Sequence, residues 1–271
     1  KQSVRNIYIG RNQMNNIKIA FFDIDGTLIA MDRDTMSEQM EDTLLQLQKN
    51  GIILCIATGR PPRSVPQFPR VKFDAYLTFN ASYCFTADTV IFKNPIPTED
   101  VHKIISNAKA IQRPVVLANV ERNGANGRDC DIVDYFEISN QTVDVVDDFE
   151  RLADEEIYQI MLGGTKKEYA SILQGVTGAE ITAWWPRAMD IIPYNGGKGL
   201  GVRKILEYYH LSKDEAIAFG DGTNDIEMLQ AVGCGVAMGN ASDDVKAVAT
   251  DICPRVEEEG ITQYCRKHHL V

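Results

Sequence analysis

The chain has 271 residues, 44% of them apolar and 24% charged, which suits a folded protein and excludes pervasive disorder. Its 28 basic and 38 acidic side chains leave a net charge of −10, which argues against nucleic acid as a partner, because phosphate backbones are held by clustered Lys and Arg. No run approaches the ~18 to 20 consecutive apolar residues that span a bilayer, and no secretion-type leader opens the chain, so a cytoplasmic protein with no membrane partner is expected.

Residues 1–13 precede Met14 and read as an extension. Ile17 to Phe22 is a nearly continuous apolar run ending in Asp23, the pattern of a parallel strand buried on both faces. A helix is predicted over Thr35 to Asn50, with Met36, Met40, Leu44 and Leu47 on one face and Gly51 as its stop. Strands follow at Ile52 to Ala57 and Asp74 to Asn80, a βαβ rhythm that predicts a doubly wound, mostly parallel, Rossmann-like α/β sheet. From about Tyr83 to Pro186 short paired strands, such as Cys84-Phe85 and Val90 to Phe92, alternate with helices such as Thr98 to Gln112, which reads as an inserted α+β domain. The first rhythm resumes with a helix near Gly199 to His210, a strand over Ala216 to Phe219, a helix near Asn224 to Ala231 and a strand around Thr250 to Cys253. The expected domains are therefore a discontinuous core, 14–82 with 187–271, and an insert, 83–186.

Chemistry concentrates at the strand ends. Asp23-Ile24-Asp25-Gly26-Thr27 puts two carboxylates two residues apart, with a glycine that turns the chain at once. One can attack phosphorus while the other protonates the leaving oxygen and later activates water. A capped turn would account for the same letters taken alone. Gly220-Asp221-Gly222-Thr223-Asn224-Asp225 supplies a second acidic loop after another apolar strand. Several carboxylates converging on one point repel unless a cation screens them, and oxygen ligands without Cys or His suit Mg²⁺. Thr58-Gly59-Arg60 ends the second strand with a hydroxyl and backbone amides, and Lys198 sits at a helix start, where its charge would offset a phosphate. The glycines around Lys198 do not make a P-loop, since residue 192 is Ile and Lys198 is followed by Gly199.

In this order and at strand ends, these four segments resemble the haloacid dehalogenase superfamily of phosphatases, in particular its Cof-type members with a C2-type (C2B) cap. The resemblance covers about Asn16 to the C-terminus: Asp23 to Thr27 match DxDGT, Thr58 with Gly59-Arg60 the second motif, Lys198 the third, and Gly220 to Asp225 match GDGxND. It implies that Asp23 is nucleophile and Mg²⁺ ligand and that Asp25 is general acid/base, holding the metal through its backbone carbonyl. Asp221 would complete the protein ligands, Asp225 would support the metal site, and Thr58, Gly59, Lys198 and Asn224 would bind phosphate. Met238 to Ala241 and Gly260-Ile261 look like further subgroup features. The chain departs from the Cof-like pattern at Asn80-Ala81-Ser82, where many relatives have Asn-Gly-Ala, and at Pro193 to Gly197; these departures bear on substrate contacts rather than on phosphoryl chemistry.

The remaining features read as structural. The six cysteines form no CxxC pair and are expected to be reduced and buried, and the acidic residues between Asp144 and Glu156 to form a solvated face. Trp184 and Trp185 read as packing before a sugar platform, and His268-His269 as solvated. The expected function is Mg²⁺-dependent hydrolysis of a small-molecule organic phosphate, most readily a sugar phosphate, by a monomer or homodimer. The alternatives are a phosphomannomutase-like phosphomutase, drawing on Arg113, Arg122, Arg128 or Lys166 for a second phosphate, and a non-catalytic phosphometabolite-binding regulator.

Overall fold

The computed structural model describes residue 14 and residues 16–138, 141–183 and 185–271. The extension 1–13 and Trp184 lie outside the described residues. In chain order the first elements are β1 (Ile19–Phe22), α1 (Glu38–Lys49), β2 (Ile53–Ala57), β3 (Ala75–Thr78), β4 (Tyr83–Phe85) and β5 (Val90–Lys93). They are followed by α2 (Thr98–Ala110), β6 (Val116–Ala118), β7 (Asn123–Ala125), α3 (Cys130–Glu137), α4 (Phe149–Ala153), β8 (Gln159–Gly163), α5 (Tyr169–Ile172), β9 (Ala179–Thr182) and β10 (Ala188–Pro193). The last are α6 (Lys198–Tyr208), β11 (Ala216–Gly220), α7 (Ile226–Ala231), β12 (Cys234–Ala237), α8 (Asp243–Val248), β13 (Asp251–Ile252) and α9 (Gly260–Lys267).

The described chain divides into two compact units. The first takes the residues up to Gly59, then Pro66–Phe92 and Gly197–Val271; the second takes Arg60–Val65 and Lys93–Gly196. The first is built on an eight-stranded sheet of order β13-β12-β11-β1-β2-β3-β4-β5, parallel from β13 to β3, with β4 antiparallel to β3. Alternate strand residues Ile19, Phe21, Cys55, Ala57, Leu77 and Ala218 share one apolar cluster with Val202 and Ile205 of α6 and Met228 and Leu229 of α7. The opposite face carries Phe22 stacked on Phe219, with Tyr264 of α9 edge-on to Phe219. Burial on both faces is why β1 has no polar alternation. On this second face α1 and α9 are joined by a buried contact between the Thr43 and Thr262 hydroxyls, 2.8 Å apart.

The second unit holds a five-stranded antiparallel sheet of order β7-β6-β8-β10-β9. Leu117, Ile160, Leu162, Met189 and Ile191 pack there with Ile104 and Ala108 of α2 and Ile172 of α5. Asp190 of β10 is buried and has no ion pair among the described residues; its carboxylate accepts from the Tyr135 hydroxyl at 2.8 and 2.9 Å and from Gln159 Nε2 at 2.8 Å, and burial pushes its pKa up to about 6.

Several expectations change. The bounds 83 and 186 both move: β4 and β5 join the first sheet, where Tyr76 stacks on Phe85, and β10 joins the second between β8 and β9. Cys130 is exposed at the start of α3, whereas the other five cysteines are buried; all six are free. His268 is half-buried and stacked on Tyr264 at 4.2 Å, which corrects its reading as solvated. The acidic stretch does form a solvated face, with Asp144, Asp147, Glu150, Asp154 and Glu156 exposed, and several of its carboxylates are paired there: Asp148 with Arg122 and Arg151, Asp154 with His102, Glu156 with Lys93. Trp185 stacks on Tyr135 and lies under the Arg187 guanidinium, 4.5 Å from the ring centre, so packing accounts for it.

Candidate active site

The carboxyl ends of β1, β2, β3, β11 and β12 form one edge of the first sheet, and the loops leaving them carry the polar residues that the sequence singles out. Asp23 extends β1 by one residue, its amide donating to Phe219 O at 3.0 Å. The chain then turns so tightly that Gly26 sits at φ +85°, and a Cβ there would lie 2.3 Å from Asp221 Oδ2. Only glycine meets both demands.

Lys198 organises the centre. It is the first residue of α6, has no exposed surface, and its Nζ donates to Asp23 Oδ1 at 2.6 Å and to Asp225 Oδ1 at 2.5 Å. A fully buried ammonium is tolerable only when paired in this way. The two carboxylates outweigh desolvation and raise the Lys198 pKa, so the side chain stays charged. Asp225 is saturated on both oxygens, since its Oδ2 accepts from the amides of Asp221 and Gly222 at 3.0 and 2.9 Å. It thus clamps its own loop to Lys198. Asp23 Oδ2 accepts no hydrogen bond among the described residues.

Asp221 lies opposite, with Oδ1 accepting from the Thr27 hydroxyl and Oδ2 from Asn240 Nδ2, both at 3.1 Å. Asn240 also donates to Gly26 O at 2.8 Å, tying the loop after β12 to the turn after β1. Asp23, Asp221 and Asp225 each place a carboxylate oxygen within 4.8 Å of the others. Burial, with the Asp225 charge, raises the Asp221 pKa to about 6. Burial, reinforced by Asp225 and Asp221, raises that of Asp23 against the pull of Lys198. With Asp225 already engaged, Asp23 and Asp221 beside it offer carboxylate oxygens that fit a hard divalent cation, whose charge would hold the crowded carboxylates ionised.

The other predicted residues fall on the same edge. Asp25 is half-buried and bridges Ile29 in the turn. Thr58 is buried, its amide donating to Leu77 O at 2.8 Å, and Gly59 follows it. Asn224 donates through Nδ2 to Asn80 Oδ1 at 2.9 Å. Sequence reasoning assigned no role to Thr27, Asn80 or Asn240. The signal for Asn240 was present: Gly239-Asn240 follows the apolar Cys234 to Ala237 just as the acidic loops follow β1 and β11.

A protein-family profile described as haloacid dehalogenase-like hydrolase matches residues 20–264. Among related sequences, the chain is 29% identical over 253 residues to the putative phosphatase YkrA of Bacillus subtilis, covering 90% of this chain and 95% of that one. It is 29% identical over 260 residues to the 5-amino-6-(5-phospho-D-ribitylamino)uracil phosphatase YitU of the same organism, covering 91% and 95%. Among solved structures, the phosphatase BT1666 of Bacteroides thetaiotaomicron superposes with a TM-score of 0.88 at 29% identity, over 95% of this chain and 97% of that one. The subclass IIB sugar phosphatase BT4131 superposes with a TM-score of 0.83 at 28% identity, over 94% and 100%.

Proposed function

The chain belongs to the haloacid dehalogenase-like hydrolase family and is a phosphoric monoester hydrolase, and from that premise we propose that it hydrolyses small phosphorylated metabolites, sugar phosphates foremost, through an aspartyl-phosphate on Asp23. The observation that carries this reading is the buried Lys198 bridge: it fixes Asp23 by Oδ1 and leaves Oδ2 without a hydrogen bond among the described residues, pointing to that oxygen as the nucleophile.

In the first step Asp23 Oδ2 bonds to phosphorus as the ester P–O bond breaks, and Asp25 gives its proton to the departing oxygen. In the second, Asp25 takes a proton from water, whose oxygen bonds to phosphorus as the bond to Asp23 breaks and phosphate leaves. Thr58, the Gly59 amide, Lys198 and Asn224 hold the phosphoryl oxygens in line. The Asp23 and Asp221 carboxylates with the Asp25 carbonyl would hold Mg²⁺, which when bound neutralises phosphoryl charge. Asp225, with both oxygens engaged, is a support rather than a ligand.

A phosphomutase needs a second cationic grip for phosphate. Arg113 is bound to Asp129, Asp131 and Glu168, Arg122 to Asp148, and Arg128 donates to Val143 O; Lys166 is exposed and has no ion pair among the described residues, but one surface lysine is not a grip for a second phosphate. Hydrolysis is therefore the preferred reading. The test is phosphate release from a panel of sugar phosphates, nucleotides, pyridoxal phosphate and an aryl phosphate, with and without Mg²⁺. Mg²⁺-dependent release that vanishes in Asp23→Asn is the expected result. An isomeric sugar phosphate without free phosphate would establish the mutase, and ligand binding without turnover the regulator.

A further inference from the structure

The loop after β3 runs through three successive non-glycine residues in the left-handed region: Phe79 at φ +51°, Asn80 at φ +52° and Ala81 at φ +68°. Such a run is disfavoured and persists only where its surroundings over-determine it, as happens at ligand clamps. Here Phe79 is fully buried, the Asn80 amide donates to Thr58 O at 3.0 Å, and Ala81 packs so closely on α6 that a Cβ on Gly201 would lie 2.3 Å from its own. The product of this conformation is the placement of the Asn80 side chain.

That side chain has only 7% of its residue surface exposed, and its two ends are used unequally. Oδ1 accepts from Asn224. Because β11 and β3 are separated in the sheet by β1 and β2, this hydrogen bond spans the carboxyl ends of the two strands that lead to Asp23 and Thr58. Nδ2 has no acceptor among the described residues. It lies against Gly59, where a Cβ would stand 3.3 Å from both amide atoms, so the absence of a side chain at 59 is what admits the amide. A phosphoryl group brings several oxygens into a site rich in carboxylates, and two of the three N–H groups on Lys198 are already committed to Asp23 and Asp225. A neutral donor supplies what is missing without adding to the charge that Lys198 already balances.

We propose that Asn80 is a further substrate-binding residue, whose Nδ2 donates to a non-bridging oxygen of the phosphoryl group while its Oδ1 fixes Asn224. This assignment rests on the phosphatase reading above. The experiment compares the parent with Asn80→Asp, which keeps an acceptor for Asn224 but replaces the donor by an anion, and Asn80→Gly, which takes the left-handed backbone without strain and so remains a folded control. Steady-state hydrolysis of an aryl phosphate, inhibition by inorganic phosphate and thermal melting are measured for each with Mg²⁺. We expect KM and the phosphate inhibition constant to rise together by roughly 10- to 100-fold in both variants, the size of a lost hydrogen bond to a charged group, with kcat changed less.

If Asn80→Asp leaves both constants within about twofold of the parent and only Asn80→Gly is impaired, Asn80 merely ties Asn224, and the assignment is overturned while the phosphatase reading stands. If the parent releases no phosphate from any substrate, that reading falls by itself, and calorimetric titration with inorganic phosphate then decides on Asn80. Binding by the parent that is lost in Asn80→Asp upholds it; equal binding, or none by either protein, overturns it.

Discussion

Removing the Lys198 ammonium would leave Asp23 and Asp225 facing each other without their shared cation. Breaking a buried pair from one side costs about 3 to 5 kcal/mol, so denaturant unfolding of Lys198→Met is expected to show a loss of that order together with abolished phosphate release. Gly26→Ala brings a different failure. Its methyl would meet Asp221 Oδ2 at 2.3 Å in a backbone conformation that L-residues rarely adopt, so Asp221 must move. A Mg²⁺ titration of activity is expected to shift by about tenfold or more, that is, by at least ~1.4 kcal/mol. At this scale the sequence was most readable, because Asp23, Asp25, Asp221 and Asp225 are fixed by short motifs whose spacing states their geometry. Thr27, Asn80 and Asn240 escaped it because their partners are remote in the chain: Thr27 meets Asp221 across 194 positions and Asn240 meets Gly26 across 214.

Elements were readable where burial period and chain punctuation agree. Helix α1 starts at Glu38, three residues inside the start expected from apolar spacing alone, behind the cap Ser37, whose Oγ accepts from the Met40 amide at 3.0 Å and donates to Glu259 Oε2 at 2.8 Å. Ser37→Ala forfeits the cap and is expected to cost about 1 kcal/mol in chemical denaturation. Sheet membership was harder to see. Strands β10 and β1 are both fully buried and, apart from Asp190, apolar, so the letters of Ala188 to Pro193 do not say which sheet they join. Likewise β4 and β5 are short and half-buried, and the Tyr76–Phe85 stack that places β4 beside β3 is a contact rather than a pattern. Helix α9 was missed although Ile261, Tyr264 and Cys265 have helical spacing, because Gly260 at its start resembles a turn.

For the whole molecule, the two units carry separate electrostatic reporters. Asp190 lies in the second unit. Its carboxyl binds a proton more tightly folded, with a pKa of about 6, than unfolded at 3.8, so its contribution to stability is complete below about pH 4 and is lost as pH rises through 6. Asp190→Asn is expected to flatten that slope and, at pH 7, to stabilise the protein by about 1 to 3 kcal/mol, read by thermal or urea unfolding across pH. The acidic centre of the first unit should respond to cation instead. Mg²⁺ is expected to raise the melting temperature of the parent by binding only the folded form. Asp221→Asn, which relieves repulsion but removes a ligand, should melt higher than the parent in chelator and no longer respond to Mg²⁺. Either result reversed would misplace the charge balance described above.

The first unit is assembled from chain segments on both sides of the second, and β1 lies between β2, which follows it closely, and β11, which does not. On the ribosome this imposes an order of birth. Asp23 emerges early, but Lys198 comes 175 positions later, and the strand that closes the other side of β1 later still. The second unit is nearly continuous in the chain and can complete its own core while β1 still waits with one edge unpaired. The acidic centre therefore cannot close until Lys198 and the loop after β11 have both emerged, long after Asp23.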